Sequence, residues 1–171
     1  MSENTWHLAE NEEEMNVTEF ELLLWRVFHG FLRWQEDCEL ATNGATLTGN
    51  ELSILHIVRM KNKPKTTTQI AQLLNREDMF NINYSVKKLL KLGLIEKSKG
   101  SVKKGATYQI TEAGIKDTDN FIKARKRILI TLFKKETRIN LPKISQDLAK
   151  IISIYDGAAK IAAFNEAPSL K

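Results

Sequence analysis

The sequence contains a single cysteine, Cys38, so no disulfide can close within the chain and a reducing, cytoplasmic setting is the simplest expectation. No stretch approaches the roughly eighteen apolar residues of a membrane span, and no membrane partner is expected. The opening MSENTWHLAENEEEMN has neither a basic start nor an apolar core, which argues against a secretory signal and for a flexible acidic segment over 1–15. Internal repeats and low-complexity linkers are missing too. His7, His29 and His56 are scattered, and no HExxH, paired CxxC, phosphate-binding glycine loop or serine elbow occurs. Glu12, Glu13 and Glu14 are consecutive and cannot all face one metal from a regular helix. These gaps leave no catalytic residue, metal ligand or cofactor to name, and the chain is not expected to be an enzyme. Cys38 sits among Glu36, Asp37 and Glu39, which disfavour a thiolate, so it is assigned to packing and not to redox sensing.

What is present is a globular balance. The 171 residues are 42% hydrophobic and 27% charged, enough for one moderate domain with helical extensions. The net charge of +5 is unremarkable, but its distribution is not. Residues 1–51 hold eleven acidic side chains against Arg26 and Arg33, whereas residues 59–104 hold twelve basic side chains against Glu77, Asp78 and Glu96. Such a division suits one part facing a polyanion while another does something else.

Apolar periodicity sets out the elements. Phe20, Leu23, Leu24, Val27, Phe28, Phe31 and Trp34 recur at three- and four-residue spacing and predict a long helix from about Val17 to Leu40, ended by Ala41-Thr42-Asn43-Gly44. Thr48 and Glu51 form a capping box for a second helix with Leu52, Leu55, Ile57 and Val58 inward, broken at Lys61 to Lys65 around Pro64. Thr66 and Gln69 form another box, opening a short helix with Ile70, Ala71, Leu73 and Leu74. After a turn over Asn75 to Phe80, a helix from Asn81 to Leu92 turns Ile82, Val86 and Leu89 inward, and Gly93 closes it in left-handed geometry. The period then changes. Leu94 to Lys97 and Ala106 to Ile110 read as the strands of a hairpin around a basic loop. A helical stretch begins at Thr111, breaks at Arg138 to Pro142, and is followed by a last helix with Ile144, Leu148, Ile151, Ile152 and Tyr155 on its stripe.

The predicted fold is therefore mainly α with a small β-hairpin: a winged helix-turn-helix over 47–112, between a dimerisation helix over 16–46 and a C-terminal helical dimerisation region over 113–171. Three short helices and a covering hairpin present the third helix convexly, where its polar side chains can enter a major groove. By the helical period Asn81, Asn83, Tyr84, Lys87, Lys88 and Lys91 face outward. Asn81, Asn83 and Tyr84 are placed nearer the bases and the three lysines on the phosphates, while Lys97, Lys99, Lys103 and Lys104 meet phosphates or the minor groove from the hairpin. The stripe of Phe20, Leu24, Val27, Phe28 and Phe31, with Ile151, Ile152 and Tyr155, is assigned to a homodimer interface holding two modules about 34 Å apart. An intrachain helical bundle is the other use of those stripes.

The segments LTGNELSILHIV, TTTQIAQLLN, INYSVKKLLKLGLIEKS and TYQITEAG, in that order, resemble the MarR family of transcription regulators over about Val17 to Phe164. The resemblance implies a homodimer joined by its terminal helices, a Gln69 to Leu74 helix supporting the reading helix Asn81 to Leu92, and a wing over Lys97 to Gly105. By the same resemblance Asn83 and Tyr84 stand where the family often has Thr-Arg, and Val102-Lys103-Lys104 replaces its Asp-x-Arg wing pattern. It also implies small-molecule control by an effector of unknown identity, bound between the dimer helices and the DNA module. The expected function is that of a sequence-specific regulator of transcription on double-stranded DNA, by family analogy a repressor; the competing class is a winged-helix protein-interaction module without DNA binding.

Overall fold

The structure, a computed structural model, describes residues 6–44, 46–98 and 105–165. Helix α1 (Glu12–Asn43) comes first, followed by α2 (Gly49–Arg59) and a 3₁₀ turn at Met60–Asn62. Strand β1 (Lys65–Thr66), α3 (Thr67–Leu73), α4 (Met79–Lys91), β2 (Ile95–Lys97), β3 (Thr107–Ile110) and α5 (Glu112–Arg125) complete a first compact unit, which ends at Arg127. A π turn at Lys126–Ile130 separates α5 from α6 (Thr131–Lys135), and α7 (Leu141–Asn165) is the main element of the second unit. The helical stretch predicted to start at Thr111 is thus three pieces.

Local chemistry accounts for the ends. Helix α1 starts at Glu12, earlier than the apolar stripe suggests, because Asn11 accepts from the Glu14 amide at 3.0 Å and the Glu14 carboxylate accepts from the Glu10 amide at 2.6 Å. Glu12, Glu13 and Glu14 then occupy the first turn, where the helix dipole favours negative charge, so residues 12–15 of the acidic segment are helical. Both capping boxes form: Thr48 with Glu51 and Thr66 with Gln69 satisfy each other's amides reciprocally. Helix α7 has Pro142 in its first turn, where its missing amide hydrogen costs nothing, and Asn140 accepts from the Lys143 amide at 3.0 Å.

The core lies among α2, α3, α4 and the sheet. Leu52, Ile54, Leu55, Ile57, Val58, Ile70, Ala71, Ile82, Val86, Leu89, Leu94 and Ile95 are buried together, joined by Leu47. Leu73, expected inside, is exposed, because Ile70, Ala71 and the half-buried Leu74 already fill the inner side of the short helix α3. The sheet has three strands in the order β1-β3-β2, all antiparallel, with Ile95 opposite Ile110 and Lys65 opposite Tyr108. Strand β1 extends the predicted hairpin by a third member. Gly93 closes α4 at φ 69° and turns the chain into β2. Gly114 lets α5 lie directly on the hairpin base, since a Cβ there would come within 2.1 Å of the Leu94 carbonyl oxygen.

Candidate nucleic-acid interface

Helix α4 is sharply two-sided. Ile82, Val86 and Leu89 have essentially no exposure, and Ser85 is buried beside them. This burial fixes the rotation of the helix about its axis, so the remaining positions have no freedom to turn inward. Asn81, Asn83, Tyr84, Lys87 and Lys91 are exposed, and Asn83 and Tyr84 make no side-chain hydrogen bond among the described residues. Lys97 is exposed on β2; Lys99, Lys103 and Lys104 lie outside the described residues.

Lys88 is placed differently from Lys87. Its ammonium donates to the buried Glu51 carboxylate at 2.7 Å and to the Thr46 carbonyl at 3.3 Å, leaving its side chain about one-third exposed. The same Glu51 oxygen accepts from the Thr48 amide at 2.9 Å. Lys88 therefore ties α4 to the capped start of α2, and its charge is largely neutralised within the chain.

Other cations of the basic segment are also committed. Arg59 pairs with Asp119 at 2.6 Å and donates to Thr118. The Lys65 ammonium, buried, donates to the carbonyls of Val58 at 3.2 Å and Lys63 at 2.8 Å, closing the end of α2; burial, reinforced by the charge of Lys61, pulls its pKa below the ordinary lysine value. Arg76 clamps Asp78, whose carboxyl is held well below the usual carboxylate range by that bonding. Among the described residues of the segment, Lys61, Lys63, Lys87, Lys91 and Lys97 are exposed and make no ion pair, and two of these five stand on the outer face of α4.

The start of α4 holds two features that sequence reasoning missed. The helix begins at Met79, so Phe80, assigned above to a turn, stands in its first turn and is 82% exposed. Asp78, immediately before it, accepts from Arg76 and from the Asn81 amide nitrogen at 3.1 Å. Asp78 at a helix entrance was the available signal. With one N–H of that nitrogen engaged, Asn81 keeps its carbonyl oxygen and one N–H, whereas Asn83 keeps its whole amide open.

An open cleft of about 320 Å³ lies between α1 and the start of α2, lined by Glu36, Asp37, Leu40, Thr46, Leu47 and Thr48. Glu36 is partly used there, accepting from the Gly49 amide at 2.7 Å. No helix among the described residues is long and apolar enough to cross a membrane, and no group of three or more His, Cys, Asp or Glu side chains among them is placed to hold a metal ion. Cys38 is buried and free, and burial followed by the charge of Glu39 pushes its thiol pKa up, away from reactivity.

Residues 47–114 match the family of winged helix DNA-binding domains, from the box at Thr48 to the glycine under α5. Solved structures align along most of the chain. A MarR family regulator from Neisseria meningitidis superposes with a TM-score of 0.66 at 15% identity, covering 88% of this chain and 99% of its own. The chain has the MarR fold. A MarR family transcriptional regulator from Rhodococcus sp. RHA1 gives a TM-score of 0.65 at 18% identity over 80% of this chain and 95% of its own. Staphylococcus aureus MarR, solved in complex with salicylate and kanamycin, gives 0.62 at 17% identity over 86% and 95%. No curated protein matches the sequence. Placed on the MarR fold, α4 is the exposed helix of the helix-turn-helix, α3 is the helix before it, and β2 and β3 form the base of the wing.

Proposed function

We propose that this chain is a MarR family regulator of transcription that binds double-stranded DNA sequence-specifically as a homodimer, with α4 in the major groove. The observation that carries the proposal is the fixed orientation of α4: a fully buried apolar side directs Asn83, Tyr84, Lys87 and Lys91 to solvent together. Amides read base edges, and lysines neutralise phosphates with release of counterions. Lys97 at the wing base adds a further phosphate contact, and Lys99, Lys103 and Lys104 are proposed to extend it.

The dimer is proposed from two helices considered separately. In α1, Val27, Phe28 and Phe31 are at least half exposed and Phe20 and Leu24 partly so; in α7, Ile152 and Tyr155 are exposed and Ile151 partly buried. Apolar area of this extent calls for a covering surface, and a second copy supplies one while setting two reading helices one duplex turn apart. Sedimentation at micromolar concentration tests this, and a monomer alone would reject it.

Selection of a binding duplex from a random pool, followed by fluorescence titration of that duplex and a shuffled one at two salt concentrations, tests the function. Tight binding to the selected duplex, weaker binding to the shuffled one and loss of both with salt are expected. If neither duplex bound with salt dependence, the chain would be a winged-helix protein-interaction module instead. Repression, in the cytoplasm, is the proposed sign of control; transcription from a promoter carrying the selected site should fall when protein is added, and a rise would reverse it. A small-molecule effector is proposed for the cleft between α1 and α2, because a ligand there touches both a dimer helix and the module. Ligand-induced chemical-shift changes confined to other elements would move the effector elsewhere.

A further inference from the structure

Phe80 and Tyr84 are unlike the rest of α4. They lie four residues apart on the helix, one turn above the other, and are 82% and 64% exposed. Met79, next to Phe80, packs against the core, so the chain had an apolar neighbour turned inward and left the larger ring outside. The line continues through Lys87 and Lys91, seven and eleven residues beyond Phe80, which makes a single outward stripe of two rings followed by two ammonium groups about 16 Å long. The first turn that bears Phe80 is held in place by Arg76 and Asn81 converging on Asp78.

Resting on the DNA-binding reading above, we propose that Phe80 and Tyr84 are specificity residues that pack against thymine C5-methyl groups, so that each half-site is built on T·A pairs read by this aromatic pair. The lysines further along the stripe say that this line of the helix meets a polyanion, and within a major groove the thymine methyl is the apolar group that a ring can cover. The polar neighbours agree with the same base pair. Asn81, with one of its two N–H donors held by Asp78, still offers its carbonyl oxygen to the adenine N6 amino group, and Asn83, with its whole amide open, suits the bidentate edge of adenine. Rings and amides on neighbouring positions thus address the two strands of T·A pairs.

The experiment uses the full chain and the duplex selected from the random pool. Deoxyuridine replaces thymine throughout the half-sites, a change that keeps base pairing and every hydrogen bond while removing the methyl. The wild-type chain is expected to bind the uracil duplex more weakly by on the order of tenfold, the loss of one or two buried methyl contacts. Phe80→Ala is expected to weaken binding to the thymine duplex by a similar factor, to shrink the penalty for uracil, and to leave the salt slope unchanged, since no charge is removed. Phe80 is exposed, so the variant should keep the wild-type melting temperature, which a circular dichroism melt checks. Equal affinity of the wild type for the two duplexes, a selected site without thymines in its half-sites, or a Phe80→Ala chain that keeps the full uracil penalty would each overturn this inference while leaving DNA binding intact. Absence of salt-dependent binding to any duplex would remove the function and this inference together, as would an apolar protein partner covering Phe80 in its place.

Discussion

Two packing regions of the first unit are held together by different chemistry. Under α4, thirteen apolar side chains close on each other, and the buried carboxylate at their edge, Glu51, has both the Thr48 amide and Lys88 as partners. Between α1 and α5 the apolar cluster is only Cys38, Phe121 and Ala124 with Trp34 against it, set among Gln35, Glu39, Asn43, Asp117 and His56. There Gln35 Oε1, Glu39 Oε1, Asp117 Oδ1 and His56 Nε2 have no ordinary hydrogen-bond partner. The outer face of α4 is thus fixed by volume, which pH does not alter, whereas the α1–α5 joint contains buried ionisable groups whose charge depends on pH.

The largest expected effect comes from opening the first region. Leu89→Ala removes a fully buried side chain from beneath α4 and should cost about 2–5 kcal/mol by urea denaturation, the usual range for such a cavity. A loss below about 1 kcal/mol would mean that the core relaxes to fill the space, and that volume is not what orients the helix.

Next comes Glu51, the polar anchor of the same region. Glu51→Ala removes the return half of the capping box and leaves Lys88 without its carboxylate. A cap of this kind is worth about 1 kcal/mol, and Lys88, being one-third exposed, can recover solvation and limits the further loss, so about 2 kcal/mol in total is expected. Thermal unfolding measures it, and a neutral substitution would show that the pair is incidental.

The contrast also explains what could be foreseen. Capping boxes, the inward triad of α4 and the left-handed Gly93 depend on residues within a few positions of one another, and these local patterns carry over directly into the structure. Strand β1 has only two residues, too few to show alternation, and is defined by pairing with β3 more than forty residues away. Lys88 looked equivalent to Lys87 because helical period alone does not show that Glu51, thirty-seven residues earlier, lies within reach. The α1–α5 joint was hidden for the same reason, since Asn43 and Asp117 are seventy-four positions apart.

That joint predicts a pH response. Burial, with a further push from the charge of Asp117, raises Glu39 to about 7, against the bond from Asn43, and burial raises Asp117 as well. A carboxyl raised on folding stabilises the fold fully below its unfolded value, near 4.5, and that contribution is lost as pH rises through about 7. His56, against the Phe121 ring at 4.8 Å between centroids, is lowered by burial and then by Arg59 and Arg125, so it works in the opposite sense: its contribution is present above the ordinary histidine value and lost in acid. Between pH 6.5 and 8 folded His56 is largely neutral while the unfolded histidine sheds its remaining proton, which raises stability, so the Glu39 contribution is isolated by comparing the wild type with a chain that lacks this carboxyl. Glu39→Gln keeps a donor toward Asp117 and cannot titrate, so the wild-type melting temperature should fall relative to that of the variant over that range. Equal slopes for the two chains would place the proton elsewhere.

The smallest effect on stability is expected from the pair that most directly separates fold from function. Lys87→Ala and Lys88→Ala remove the same charge from adjacent positions of one helix, yet Lys87 is solvent-facing and Lys88 is bound to Glu51. Lys87→Ala should change stability by less than about 0.5 kcal/mol and reduce the slope of log affinity against log salt by about one, the signature of a lost phosphate contact. Lys88→Ala should do the reverse, costing about 1 kcal/mol of stability by unpairing a buried carboxylate while leaving the slope within error of wild type. Titrations of the two variants at four salt concentrations beside their melting curves decide the matter. A slope that fell equally for both would mean that Lys88 leaves Glu51 on binding, making α2's capped end part of the DNA response.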